Sequence, residues 1–203
     1  MLDRPVYIVF EGAEGSGKST QAKRLAQDLG AVFTRETGGT AIGARLRAIL
    51  HDTTVEHLAP RAEALMTAAD RAQHIAEVVA PALRSGRSVV SDRSVYSSLA
   101  YQGFGRGLDV DEVRRLNDWA TDGLWPDLVV FLDTPDEIIS ERMSRRQLDR
   151  FEAAGPDFHD RVIGAYREMA GADPDHWVTI AAVGSIDHVA AEIRTALAAK
   201  GLP

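Results

Sequence analysis

The chain has no cysteine, so it carries neither a disulfide framework nor a thiolate metal site. No apolar run approaches the roughly 18 residues of a membrane-spanning helix. The start, Met-Leu-Asp-Arg-Pro, lacks the apolar stretch of a secretion signal, because strand-like residues follow at once. An excess of positive charge is missing too: 23 Lys and Arg stand against 30 Asp and Glu, a net charge of −7. That balance argues against a nucleic-acid binder, which normally shows a basic footprint. Repeats, low-complexity tracts and linkers are absent. His51, His57, His74, His159, His176 and His188 show no zinc-type spacing and are expected at the surface or at caps. Trp119, Trp125 and Trp177 are expected in the core or an interface. What remains is a cytoplasmic enzyme of one domain, residues 1–203, whose 45% hydrophobic content suffices for a core. Its partner is expected to be a small anion held by a few local cations, with no nucleic acid and no membrane involved.

Against these absences stands one dense motif. Gly12, Ala13, Glu14, Gly15, Ser16, Gly17, Lys18 and Ser19 match G-x-x-x-x-G-K-[ST], the loop whose backbone N–H groups cradle nucleotide phosphates. Glycines without a Cβ let the chain turn tightly and approach the phosphates. Lys18 brings a mobile cation to the β/γ oxygens, and the Ser19 hydroxyl reaches towards Mg²⁺. Residues 6–10 read as a buried parallel strand and residues 19–29 as a helix whose N-terminus faces the anion. A nucleoside triphosphate is therefore expected.

Strands and helices alternate along the rest of the chain. Further strands are predicted at 31–35, 87–91, 128–132 and 177–180, and helices at 41–50, 60–83, 96–101, 110–121, 158–169 and 186–200. Pro81 is expected to kink the long helix near its end. Thr134, Pro135 and Glu137 read as the cap, first and third positions of another helix. Such alternation implies a three-layer α/β/α fold around a five-stranded, mainly parallel sheet. Ligands in such sheets bind beyond the C-terminal strand ends. Gly12, Arg35, Asp92 and Asp133 lie at such ends, so they are expected to converge.

The same strand ends point to a second substrate. Arg35 precedes a Gly-Gly turn, where a guanidinium fork can grip a phosphate. Asp92 offers a carboxylate for Mg²⁺ beside a second fork, Arg93. A surface salt bridge or a helix cap is the alternative for either pair. Arg142, Arg145, Arg146 and Arg150 then cluster against only Glu141 and Asp149, a local +2. This is either a solvated helix face or a lid, residues 142–155, supplying arginines to a transferring phosphoryl group.

Four blocks occur in order: Phe10-Glu-Gly-Ala-Glu-Gly-Ser-Gly-Lys-Ser-Thr-Gln21, Thr34-Arg-Glu-Thr-Gly-Gly-Thr40, Ala69-Asp-Arg-Ala-Gln-His74 and Asp92-Arg-Ser-Val-Tyr-Ser-Ser-Leu-Ala-Tyr-Gln-Gly103. Together they resemble bacterial thymidylate kinase, a P-loop nucleoside monophosphate kinase family. Leu148-Asp-Arg-Phe-Glu152, with Phe158 to Val162 and Tyr166, is similar to that family's lid and the helix after it. The resemblance spans nearly the whole chain and is most specific at residues 92–103. It implies transfer of the ATP γ-phosphoryl group to dTMP, with Mg²⁺ and a homodimeric assembly. The loop from Gly12 through Ser19, with Thr20, would hold ATP; Ser19 and Asp92 would face the metal. Glu14, Arg35, Arg47, Arg71, Arg93, Ser98, Tyr101 and Gln102 would form the dTMP site. Arg35 and Arg93, with Arg47 nearby, would hold the monophosphate, and Arg71 would read the thymine edge. Tyr101 would pack under the deoxyribose. Lys18, Arg93, Arg145, Arg146 and Arg150 would be catalytic, since an acidic Glu14 resembles the subtype with its catalytic arginine in the lid.

Two positions depart from the family pattern. Thr37 stands where Arg-Glu-Pro-Gly-Gly has proline, which predicts a looser loop. Thr67, four residues before Arg71, stands where an aromatic usually stacks on the base, with Met66 as a neighbour that could cover the ring. Three other functions compete. Another nucleoside monophosphate or deoxynucleoside kinase would lack the 92–103 block. A GTPase switch needs Asn-Lys-x-Asp, which is absent, and a dead binding module would lose Lys18 or the lid arginines.

Overall fold

The computed structural model describes residues 4–144 and 148–202, so Arg145 and Arg146 lie outside the described residues. Five strands, β1 (Tyr7–Gly12), β2 (Val32–Arg35), β3 (Val89–Asp92), β4 (Leu128–Asp133) and β5 (Trp177–Ala181), form one sheet in the order β2-β3-β1-β4-β5. All four pairings are parallel. The central strands β1 and β4 begin as continuous apolar runs because both faces are covered. Tyr7, Val9, Val89, Val129 and Phe131 point into one core, and Ile8, Phe10, Val90, Val130 and Leu132 into the other.

Helices α1 (Lys18–Leu29), α2 (Ala41–His51), α3 (Pro60–His74) and α4 (Ala80–Arg84) occupy the first half of the chain. The second half holds α5 (Val95–Ser98), α6 (Val110–Thr121), α7 (Asp136–Met143), α8 (Pro156–Ala172) and α9 (Ile186–Ala199). Side chains of α1 and α9 fill the second core, and those of α8 and the α3–α4 region fill the first. Caps explain the boundaries. Gly30, at φ 61°, donates to the Ala26 and Gln27 carbonyls and ends α1, while the Thr40 hydroxyl accepts from Gly43 N–H to start α2.

The long helix predicted at 60–83 is interrupted. A π-helical turn, Ile75–Val79, separates α3 from α4 and ends two residues before Pro81. The wide turn accommodates a residue that cannot donate to the ladder. Likewise, the helix predicted at 96–101 is α only over α5 and continues as a π-helical segment, Leu99–Gly105. The cap predicted at Thr134 is not formed. Pro135 is the N-cap of α7 and makes no side-chain capping bond. Trp177 is core, but Trp119 on α6 is 83% exposed. His74 is not at the surface, being fully buried. Among the described residues no helix is long and apolar enough to cross a membrane.

Candidate active site

Gly12, Arg35, Asp92 and Asp133 each end a strand, so the parallel register brings them to one sheet edge. Among the described residues three clefts beyond that edge are lined by Glu14, and two of them hold the residues singled out above.

The first cleft, about 410 Å³, is lined by Glu14 through Gln21, with Arg142, Met143 and the segment from Ala182 to Val189. The loop backbone explains its glycines. Gly12 sits at φ 140°, where a Cβ would lie 2.7 Å from the Leu132 carbonyl oxygen, and Gly17 caps α1 at φ 98°. The N–H groups of α1 therefore open onto an anion-sized cleft. Lys18 is only 4% exposed, and its Nζ donates to the Ala13 carbonyl at 2.6 Å. Burial, with the nearby Arg93 charge, lowers its pKa despite Glu14 and Asp92. Two features here escaped the motif reading. Arg142 Nη1 donates to the Gly15 carbonyl at 2.8 Å, and the β5–α9 connection forms the far wall. The latter was accessible from the strand-end rule, because β5 ends on the same edge.

Ser19 Oγ donates to Asp92 Oδ2, while Asp92 Oδ1 is buried without a hydrogen-bond partner. A buried, unsatisfied carboxylate oxygen beside a hydroxyl is a hard-oxygen donor set suited to Mg²⁺, which takes one or two carboxylates and completes its shell with water and phosphate.

The second cleft is lined by Glu14, Glu36, Thr37, Arg47, His51, Thr67, Arg71, Arg93, Ser97, Ser98, Tyr101, Gln102 and Phe151. It gathers every residue expected at the acceptor site except Arg35, which is exposed at the end of β2. Arg93 stands at the wall between the clefts. Its backbone has φ 75°, a conformation that non-glycine residues rarely adopt and that clusters at functional sites. Its Nη2 donates to Glu14 Oε1 at 2.5 Å and to the Tyr101 hydroxyl at 3.1 Å. Its Nη1 donates to Ser97 Oγ at 3.1 Å. Burial drives the Tyr101 phenol up to about 12, so it stays protonated beside this cation. Arg47 has a lowered pKa through burial and the neighbouring Arg35, two like charges suited to an anion.

Beneath Arg93, the fully buried Glu11 accepts from Ser94, Ser97 and Tyr166, and burial raises its carboxyl. Arg71 is fixed by partners that no local pattern announced. Nε donates to Glu36, Nη1 to Ser98 and Asn117, and Nη2 to the Ser94 carbonyl. These bonds use four of the five guanidinium N–H donors. The loop at Thr37 is tied down rather than loose. Gly38 N–H donates to Asp70, and Arg47 Nη1 donates to the Thr37 carbonyl at 3.3 Å. Asp133 reaches the shared edge but pairs with Arg167. Arg150 lines neither cleft; its Nη2 is 2.7 Å from Glu63 Oε2.

A phosphate loop on the central strand of a parallel sheet, facing a second cationic cleft across one arginine, defines a P-loop phosphotransferase of the nucleoside monophosphate kinase type. Residues 10–193 match the family model described as thymidylate kinase, and the chain belongs to that family. It is 44% identical to a thymidylate kinase of Desulfovibrio desulfuricans, covering 96% of this chain and 95% of the relative. A thymidylate kinase of Clavibacter michiganensis is 46% identical, with 94% and 93% covered. The crystal structure of thymidylate kinase from Ehrlichia chaffeensis superposes with a TM-score of 0.78 at 29% identity, covering 96% of this chain and 99% of that one.

Proposed function

We propose that the chain transfers the γ-phosphoryl group of ATP to dTMP, giving dTDP and ADP, and that its two clefts divide the substrates between them. The observation that carries this reading is the contact of Arg93, in the second cleft, with Glu14, which lines both clefts, where a donor and an acceptor phosphate would meet. Gly12, Ala13, Glu14, Gly15, Ser16, Gly17, Lys18, Ser19 and Thr20 hold the ATP phosphates. Lys18 exchanges the Ala13 carbonyl for the β/γ oxygens. Arg93 turns from Glu14 to the acceptor phosphate, with Arg35 and Arg47 at the rim. Arg71, Ser98 and Gln102 face the base and Tyr101 the sugar. Arg145 and Arg146 supply lid charge to the transferring group. The acceptor is already an oxyanion at neutral pH, so alignment and charge stabilisation suffice without a strong base.

Ser19 and Asp92 are the residues that would hold Mg²⁺. When bound, the ion neutralises charge on the phosphate oxygens. Lys18 in one cleft and Arg47, Arg71 and Arg93 in the other support small anionic substrates despite the net charge of −7, and the enzyme is read as cytoplasmic. A homodimer is supported by apolar side chains exposed on neighbouring helices, Ile42 and Ile49 on α2, Leu65 on α3 and Trp119 on α6. The residues are read as one domain with a short lid. A coupled ADP-release assay across dTMP, dUMP, UMP, CMP and AMP tests the reading. Preference for dTMP is expected, and preference for a non-thymine acceptor overturns the substrate while leaving the phosphotransfer class.

A further inference from the structure

Glu63 on α3 is fully buried, yet it gathers three cationic or polar groups from two distant segments. Gln102 Nε2 donates to its Oε1 at 2.9 Å, and Arg106 Nε lies 3.2 Å from both oxygens. Arg150, from the lid segment, completes the set with Nη2 at 2.7 Å from Oε2. The Arg150 Nε donates to the Leu50 carbonyl at 2.8 Å, and its backbone N–H donates to the His51 carbonyl. Beside it, Asp149 Oδ2 lies 2.6 Å from His51 Nδ1. The segment is therefore fastened at both side chains to the end of α2 and to α3. The next residue, Phe151, is thereby held against the acceptor cleft. Its ring packs edge-on to Tyr101 at 5.8 Å and to His51 at 5.2 Å, and it lines the same cleft as Thr67 and Arg71.

We infer that Glu63 is a positioning residue for the acceptor, a buried latch that docks the far half of the lid through Arg150 and sets Phe151 and Gln102 as walls of the base pocket. Arg150 thus acts on the acceptor cleft and not on the transferring phosphoryl group. The physical reason is charge: withdrawing Arg150 towards the phosphate loop would leave a buried carboxylate with Arg106 as its remaining guanidinium among the described residues, so the ion pair, whose Nη2 is buried without a hydrogen-bond partner, resists exchange. Phe151 also supplies aromatic surface to a cleft in which position 67 supplies none.

This inference rests on the acceptor reading above, and the test separates the two. Full-length Arg150→Met and Glu63→Gln are assayed for KM of dTMP, KM of ATP and kcat, and hydrogen exchange of residues 148–155 is followed without substrate. The latch predicts a rise of at least tenfold in KM for dTMP, a fall in kcat of less than threefold and at least tenfold faster exchange in that segment. Arg150→Lys recovers part of both effects. Arg150→Met keeps Arg106 on Glu63, so it reports even if Glu63→Gln fails to fold. A hundredfold fall in kcat with KM and exchange unchanged overturns the latch and returns Arg150 to the transferring group. No change in any quantity also overturns it. If the wild type ignores dTMP, the acceptor reading fails, while the exchange data still decide whether the latch exists.

Discussion

Replacing Thr67 by Phe tests the acceptor cleft at a lining position that carries no aromatic ring. Thr67 is 6% exposed on α3, one turn before Arg71, and lines the cleft. Its hydroxyl donates to the Ala64 carbonyl within the same helix, so the substitution breaks no tie to another element. A larger side chain there grows into the cleft. An aromatic face against a base is worth about 1–3 kcal/mol, which corresponds to about 5- to 150-fold in affinity. The lower end applies here, because Tyr101 and Phe151 already line the same space. At saturating ATP, the KM for dTMP should therefore fall about five- to tenfold, with kcat within about twofold. The KM for dUMP should fall in parallel, since stacking does not read the thymine methyl. The assay is coupled ADP release, with a thermal melt as the folding control. An unchanged KM would mean that position 67 does not meet the base. A raised KM with an intact melt would mean that the space is already filled, overpacking costing about 1–3 kcal/mol.

Lys18→Ala should lower kcat by more than about tenfold, the equivalent of 1.4 kcal/mol, while shifting the melting temperature by only about 2–4 °C; retention of a tenth of wild-type turnover would refute its role. Because Lys18 is buried rather than an exposed loop lysine, the substitution removes a desolvated charge together with two bonds, to the Ala13 carbonyl and the Ser16 hydroxyl, and these oppose each other in stability. Asp92→Asn should raise the Mg²⁺ concentration for half-maximal rate at least about tenfold, with circular dichroism unchanged; an unaltered Mg²⁺ dependence counts against the assignment. Burial pushes the Glu36 carboxyl up, but Arg71 and His74 outweigh it and hold the pKa below its ordinary 4.5. Its contribution is thus complete above the unfolded value and lost as pH falls through the depressed folded one. Glu36→Gln should be less stable than wild type in urea melts at pH 7, and the gap should narrow below pH 4.5; a gap that widens in acid would refute the sign.

Strand positions were legible to within one or two residues because runs such as 6–10 and 128–132 are apolar without alternation, the mark of a sheet covered on both faces. The acceptor cleft was legible through a family likeness, and the phosphate loop through spacing alone. What stayed hidden has identifiable causes. The partners of Arg71, namely Glu36, Ser98 and Asn117, lie 35, 27 and 46 residues away, beyond any local periodicity. His74 looked like a surface group, yet it is sandwiched between Glu36 and Thr34. Arg150 stood in a run of arginines whose composition does not distinguish a phosphate ligand from the partner of a buried carboxylate. Thr134 carries the right residue type for a cap, but Pro135 is the N-cap and α7 begins at Asp136, one position later than expected.

The π-helical segment Leu99–Gly105 has a consequence for how the acceptor cleft is encoded. Ser97, Ser98, Tyr101 and Gln102 share one lining although they straddle the change from α to π winding. In a π turn the bond runs from residue i to i+5, so the segment holds more chain per revolution than a regular helix. Removing one residue would let it relax to ordinary winding with the flanking chain nearly in place, so that residues inside the segment change the face they present. Part of the cleft is therefore specified by counting, through the number of residues between two fixed ends. Point substitutions preserve that number and leave the constraint invisible, whereas a single-residue deletion anywhere in the segment would expose it.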